Sequence, residues 1–151
     1  MVQARDVFLR VRSPFLVPVA DLWAARERAR RGQRDVAIPV MRNAAGELQQ
    51  AGRIGYGVWG TGVLVEALLE RGAEGDVAEA EAQIDWLENL SADNGSAALE
   101  ITLLRLRTLL AAARGDHAAY SDLASRYHAM AESLGYEGHT AFAEAMIKGG
   151  G

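Results

Sequence analysis

The sequence contains no cysteine, which excludes disulfide bonds, thiolate zinc sites and a cysteine nucleophile. It has three prolines and 28 alanines in 151 residues, and this balance favours helices because alanine has the best helix propensity and proline the worst. It has no apolar run long enough to cross a bilayer. The first residues lack the apolar core and cleavage pattern of a signal peptide. We therefore expect a soluble, cytoplasmic protein.

The remaining composition is that of an ordinary globular chain, with 50% hydrophobic and 24% charged residues. A chain of this length buries roughly 70% of the surface that its unfolded form exposes. We expect one domain over residues 1–148, followed by a flexible glycine tail at 149–151.

Charge is distributed unevenly along the chain. Residues 1–53 carry ten arginines and five acidic residues, whereas residues 54–151 carry six basic and fifteen acidic residues. A basic first third could meet an acidic partner or a nucleic acid. The simpler interpretation is that Arg26, Arg28, Arg30 and Arg31 form the solvated face and C-terminal end of a helix, where cations are favourable. We do not expect nucleic-acid binding, because no recognised motif accompanies the arginines.

Caps and glycines divide the chain into six or seven predicted helices, and no stretch alternates like a strand. The first runs from Ser13-Pro14 to Arg31, with Gly32 after it. The predicted later starts are Asp35, the region after Gly52, Asp76 with Glu79 as a capping box, Ala97, Asp116 and about residue 138. Residues 91–96 are predicted to form a polar loop.

Three helix ends are alike, and they indicate a repeat. Arg31-Gly32, Arg71-Gly72 and Arg114-Gly115 are 40 and 43 residues apart, a period typical of stacked helical hairpins. The nearest named pattern is the tetratricopeptide repeat (TPR), whose period is 34. The predicted fold is therefore all-α, with about three TPR-like units of about 40 residues stacked as antiparallel hairpins. An ordinary helical bundle is the alternative.

Three segments resemble a known family: TGVLVEALLERGAEGDVAEAEA (61–82), LLRLR (103–107) and YHAMAESLGYEGH (127–139). They are similar to the C-terminal region of large actinobacterial, chiefly mycobacterial, signalling proteins. Those proteins join a class III adenylate cyclase domain, a P-loop ATPase domain of the AAA/STAND type and a TPR-like helical region, and some add a LuxR-type helix-turn-helix.

The resemblance implies a helical sensor or scaffold without the catalytic parts. The chain has no GxxxxGK[ST] loop, and its only lysine is Lys148. The expected function is a non-catalytic interaction or regulatory module. Its partner would be a protein segment or a neighbouring cyclase/ATPase domain. Homo-oligomerisation is a further alternative. The alternatives are a small-molecule-sensing helical domain of a transcriptional or cyclase regulator, and an enzyme with carboxylate chemistry.

Several motifs have a functional and a structural interpretation. GYGVWG (55–60) fits GxGxxG, but no strand precedes it, so we expect the glycines to allow a bend or a close helix approach. Arg114-Gly115-Asp116 is interpreted as an inter-helix turn. His117 and His128 are three turns apart, and no carboxylate set completes a metal site with His139.

We expect no catalytic, cofactor-binding or metal-binding residues. Glu66 with Glu70, and Glu81 with Asp85, are interpreted as solvated helix faces rather than paired catalytic acids. Among the large aromatic residues, Trp86, Tyr120 and Tyr127 are expected to pack between helices. Tyr56 and Trp59, set among glycines, and Trp23 are the predicted partner-binding residues.

Overall fold

The computed structural model describes residues 16–52 and 54–149, and these residues form seven α-helices and no strand. The helices are α1 (Leu16–Arg30), α2 (Arg34–Gln50), α3 (Ile54–Arg71), α4 (Asp76–Asn94), α5 (Ala97–Arg114), α6 (His117–Leu134) and α7 (Glu137–Gly149). Short connections join consecutive helices into hairpins within α1–α3 and within α4–α7. This confirms the prediction of an all-α chain of helical hairpins that fit a TPR-like stack.

Local chemistry explains where the best-defined helices end. α5 ends at Gly115, whose φ of +71° is in the left-handed region that favours glycine. The amides of Gly115 and Asp116 then bond to the carbonyls of Ala112 and Ala111. The Asp116 carboxylate accepts a hydrogen bond from the amide of Ala119 and so caps α6.

Several helix boundaries predicted from the sequence were wrong by one or more residues. Asp35 lies in the first turn of α2, and Gln33 occupies the cap position without a side-chain bond. Asp76 is likewise inside α4, because Gly75 is the cap residue, so no capping box forms. The predicted loop at 91–96 is mostly helix, since α4 continues to Asn94.

The predicted boundaries at the two chain ends fall partly outside the described residues. The predicted start at Ser13-Pro14 lies outside the described residues. The last helix is longer than predicted, and Gly149 belongs to it rather than to a tail. Residues 150–151 lie outside the described part.

The chain divides into two compact units between Ala73 and Glu74. In the first unit α2 packs on both α1 and α3, and α1 also contacts α3. The core of this unit contains fully buried Leu22, Ile38, Leu48 and Leu68. Burying each such side chain contributes about 1.5–3 kcal/mol. The prediction of a single domain over 1–148 stays a prediction.

In the second unit each helix packs on the next: α4 on α5, α5 on α6, and α6 on α7. α5 is buried around much of its circumference, as its apolar composition predicts, and it lies between α4 and α6. Tyr127 of α6 is completely buried, in a cluster with Ile101, Leu104 and Ala143. Within the described ranges, no helix has the length and apolar character needed to cross a membrane.

Candidate interaction surface

The three predicted contact residues come together in the first unit. Trp23 of α1 and Gly55, Tyr56 and Trp59 of α3 line an open cleft of about 370 Å³. The rings of Trp23 and Trp59 have centroids 5.2 Å apart and planes inclined by 39°, a separation typical of favourable aromatic pairs. We call this surface the aromatic cleft.

A close helix contact at Gly60 positions the aromatic cleft. A Cβ at this residue would lie 2.9 Å from Cδ1 of Leu22 and 3.4 Å from Cδ1 of Leu48. The absence of a side chain therefore lets α3 lie tightly against α1 and α2. This confirms the close-approach interpretation for Gly60.

A buried polar contact holds the same part of α3. The hydroxyl of Thr61 is completely buried, donates to the carbonyl of Gly57 at 2.7 Å and accepts from Nε2 of Gln49 at 2.8 Å. Both bonds are needed because an unsatisfied buried polar group is costly. The contact links α2 to the turn that carries Trp59.

The aromatic cleft leaves much apolar surface in contact with water. Trp23 is 49% exposed and Tyr56 42% exposed, while Trp59 is partly buried. Covering such surface with another apolar group is favourable by about 25 cal/mol per Å². The aromatic cleft is therefore the candidate interaction surface of the first unit.

Arginines continue from the aromatic cleft along α1. The guanidinium of Arg26 lies over the Trp23 ring, with its central carbon 5.6 Å from the ring centroid, a cation–π geometry. Arg26 and Arg30 also line a smaller cleft, opposite Glu66 and Glu70 of α3. Sequence reasoning placed Arg26 on a solvated face; its spacing of three residues from Trp23 is the signal that could have identified the contact.

The predicted carboxylate pairs lie in ion pairs or in solvent. Glu70 accepts from Arg34 at 3.1 Å and 3.3 Å. In the second unit, Glu81 pairs with Arg114 at a groove of about 440 Å³ between α4 and α6, and Asp85 of the same groove is exposed. Arginines therefore occupy Glu70 and Glu81, one member of each carboxylate pair.

The histidines have separate environments. His128 lies 3.5 Å from Glu132 and 3.7 Å from Glu144. His139 Nδ1 is 2.5 Å from the hydroxyl of Tyr127, and burial, followed by the nearby positive charge of Arg105, lowers the pKa of His139. Among the residues that the structure describes, no three or more histidine and carboxylate groups are placed to hold a metal ion.

Two motifs take the structural roles expected of them. GYGVWG lies inside α3, so it lacks the strand-to-helix turn on which dinucleotide binding depends. Arg114-Gly115-Asp116 is the turn between α5 and α6, with its arginine paired and its aspartate capping. Trp86, Tyr120 and Tyr127, the aromatic residues expected to pack between helices, lie in the second unit. Tyr120 donates to the carbonyl of Met146 at 2.8 Å, and Trp86 is partly buried.

Comparisons with protein-family models, with curated proteins and with solved structures each found no match. The relation to the cyclase/ATPase signalling proteins stays a prediction.

Proposed function

We propose that this chain is a non-catalytic, TPR-like interaction module that binds a segment of a partner protein at the aromatic cleft. The observation that carries the proposal is the convergence of Trp23, Tyr56 and Trp59 on one exposed apolar surface. Tryptophan and tyrosine are the side chains that most often dominate the energy of protein interfaces. Helical hairpins are also a common framework for such surfaces.

The resemblance to the C-terminal arm of cyclase/ATPase proteins suggests the setting. In that setting the module is cytoplasmic and takes part in signal transduction, and its partner is a neighbouring catalytic domain or a protein that regulates one. The same proposal expects no cyclic AMP formation by the purified chain.

A small-molecule sensor is the second candidate, and the volume of the aromatic cleft favours it. Its 370 Å³ lies within the 300–1,000 Å³ range of ligand pockets. Such pockets also present a few convergent polar groups that fix the orientation of the ligand. Here the lining is three aromatic rings and Gly55, which suits an apolar side chain better than a metabolite.

Selection of peptides from a random displayed library tests the proposal. The purified chain is the bait, and each enriched peptide is measured by fluorescence polarisation against Trp23→Ala, Tyr56→Ala and Phe142→Ala. Phe142 is the matched control, because it is a 52% exposed aromatic residue of the second unit. Circular dichroism checks that each variant remains folded.

We expect the two cleft variants to weaken binding at least tenfold and the Phe142 variant to leave it unchanged, because loss of an anchor at an interface typically costs 2 kcal/mol or more. Failure to enrich any peptide, or equal affinity for all variants, would contradict the proposal. Binding of small aromatic metabolites alone would favour the sensor.

A further inference from the structure

We propose that the segment bound at the aromatic cleft is acidic, with carboxylate side chains next to its apolar anchor. This inference rests on the proposed function and specifies the partner of the same site. It follows from the arrangement of charge along the seam between α1 and α3.

The seam between α1 and α3 is aromatic at Trp23 and Trp59, and it is lined by Arg26 and Arg30 further along α1. Trp23, Arg26 and Arg30 follow one side of α1 at spacings of three and four residues, which places the arginines about 4.5 Å and 10.5 Å further along the helix axis. The aromatic cleft pairs Trp23 with Trp59, and the next cleft places Arg26 and Arg30 opposite residues 63–70 of α3. The two clefts are therefore neighbours along the seam between α1 and α3.

Within the described residues, no carboxylate of the protein neutralises the charge of Arg26 or Arg30, so both can pair with a ligand. Within the described part of the chain, neither Arg26 nor Arg30 forms an ion pair, and the contact of Arg26 is the ring of Trp23. The carboxylates on the other side of the seam are already engaged. Glu70 accepts two hydrogen bonds from Arg34, and Glu66 has a partner as well.

The net charge of the first unit is positive, like that of Arg26 and Arg30. The described residues of the first unit, 16–52 and 54–73, carry seven arginines and six acidic residues, a net charge of +1, although the whole chain is at −4. A positive region attracts acidic segments over about a Debye length and discriminates against basic ones. Charge complementarity thus identifies the partner as an acidic protein segment with an aromatic or large aliphatic anchor.

The distances also define where the carboxylates should lie. An extended segment advances about 3.3 Å per residue. With its anchor packed against the exposed side of Trp23 and Trp59, an acidic side chain one to three residues away would lie beside Arg26 or Arg30. Carboxylates on that side of the anchor should contribute more than those on the other side.

Three labelled peptides test this inference against the intact chain. Each peptide has one tryptophan with two identical residues on either side. These residues are glutamate in the first peptide, lysine in the second and glutamine in the third. Fluorescence polarisation at 50 mM and 300 mM NaCl measures their affinities for the unmodified chain, Arg26→Gln, Arg30→Gln and Arg28→Gln. Arg28 is the matched control, because it is an exposed arginine of α1 outside both clefts.

We expect the glutamate peptide to bind at least tenfold more tightly than the lysine peptide at low salt, and the difference to shrink at high salt. Arg26→Gln and Arg30→Gln should weaken the glutamate peptide threefold or more while leaving the glutamine peptide unchanged. Arg28→Gln should change neither. A loss of affinity for all three peptides in Arg26→Gln would mean that Arg26 only supports the Trp23 ring, which would overturn the inference.

The test separates this inference from the proposed function. If all three peptides bind equally, and Trp23→Ala abolishes their binding, the aromatic cleft is an interaction site without charge selectivity and only the present inference is wrong. If no peptide binds and the displayed library also yields none, both proposals are wrong.

Discussion

The close contact at Gly60 leads to a prediction about stability. Replacing Gly60 with alanine adds one methyl group to the face of α3 that lies against α1 and α2. The new Cβ would lie 2.9 Å from Leu22 and 3.4 Å from Leu48, two side chains with no exposed surface. Gly62 offers a matched control on the same helix, because nothing lies within 4 Å of the corresponding position.

Two opposing effects determine the size of the change. Alanine is favoured over glycine inside a helix by about 1 kcal/mol, and this gain applies at both positions. At Gly60 the methyl group also overpacks the core, which typically costs about 1–3 kcal/mol. We therefore expect Gly60→Ala to lower the free energy of unfolding by about 1 kcal/mol, and Gly62→Ala to raise it by up to about 1 kcal/mol.

Urea denaturation followed by tryptophan fluorescence measures this difference, because Trp23 and Trp59 belong to the same unit as both glycines. A difference of 1 kcal/mol corresponds to about 4–8 °C in the melting temperature of a domain of 60–100 residues. The reasoning would be refuted if Gly60→Ala were as stable as Gly62→Ala. In that case Leu22 moves freely, and the aromatic cleft does not depend on this contact.

Three further predictions concern the second unit. Ser96→Ala should lower the free energy of unfolding by about 1 kcal/mol, measured in urea, because the Leu99 amide loses its 3.2 Å acceptor. Gly115→Ala should cost about 1–2 kcal/mol in the same assay, since its φ is +71°; an unchanged midpoint would contradict the strain. Because burial and Arg105 lower the pKa of His139, the unfolded chain binds a proton more readily. The unfolding free energy should therefore fall as the pH drops from about 6.5 through the lowered pKa. His139→Gln should have a flatter pH profile, and identical profiles would refute this assignment.

Much of the fold was predictable because local signals were strong. The glycine that ends α5 and the aspartate that caps α6 were both identified, and each acts through contacts within a few residues. The wrong boundaries have a different origin. At Asp76 and Ser91 a polar residue with good cap chemistry lies inside a helix, because packing can override a local preference.

The aromatic residues of the candidate site were predictable from the sequence, but the arginine beside them was not identified as part of it. Glycines on α3 suggested that Tyr56 and Trp59 are exposed, and both contribute to the aromatic cleft. Arg26 was interpreted as part of a solvated face, although its spacing of three residues from Trp23 allows the cation–π contact. The bond between Tyr127 and His139 has no such local signal, because it joins two helices through their packing.

The GYGVWG segment shows how the same spacing changes meaning with the element that contains it. After a strand, glycines at this spacing would free backbone amides to approach a phosphate. Inside α3 the period of 3.6 residues places Tyr56 and Trp59 one turn apart at the cleft and turns Gly60 toward Leu22. One glycine then allows the helices to approach, and the neighbouring aromatic residues are held together at the surface. In the proposed function the aromatic side chains of this segment form the binding surface, and Gly60 lets the helices that carry them pack closely.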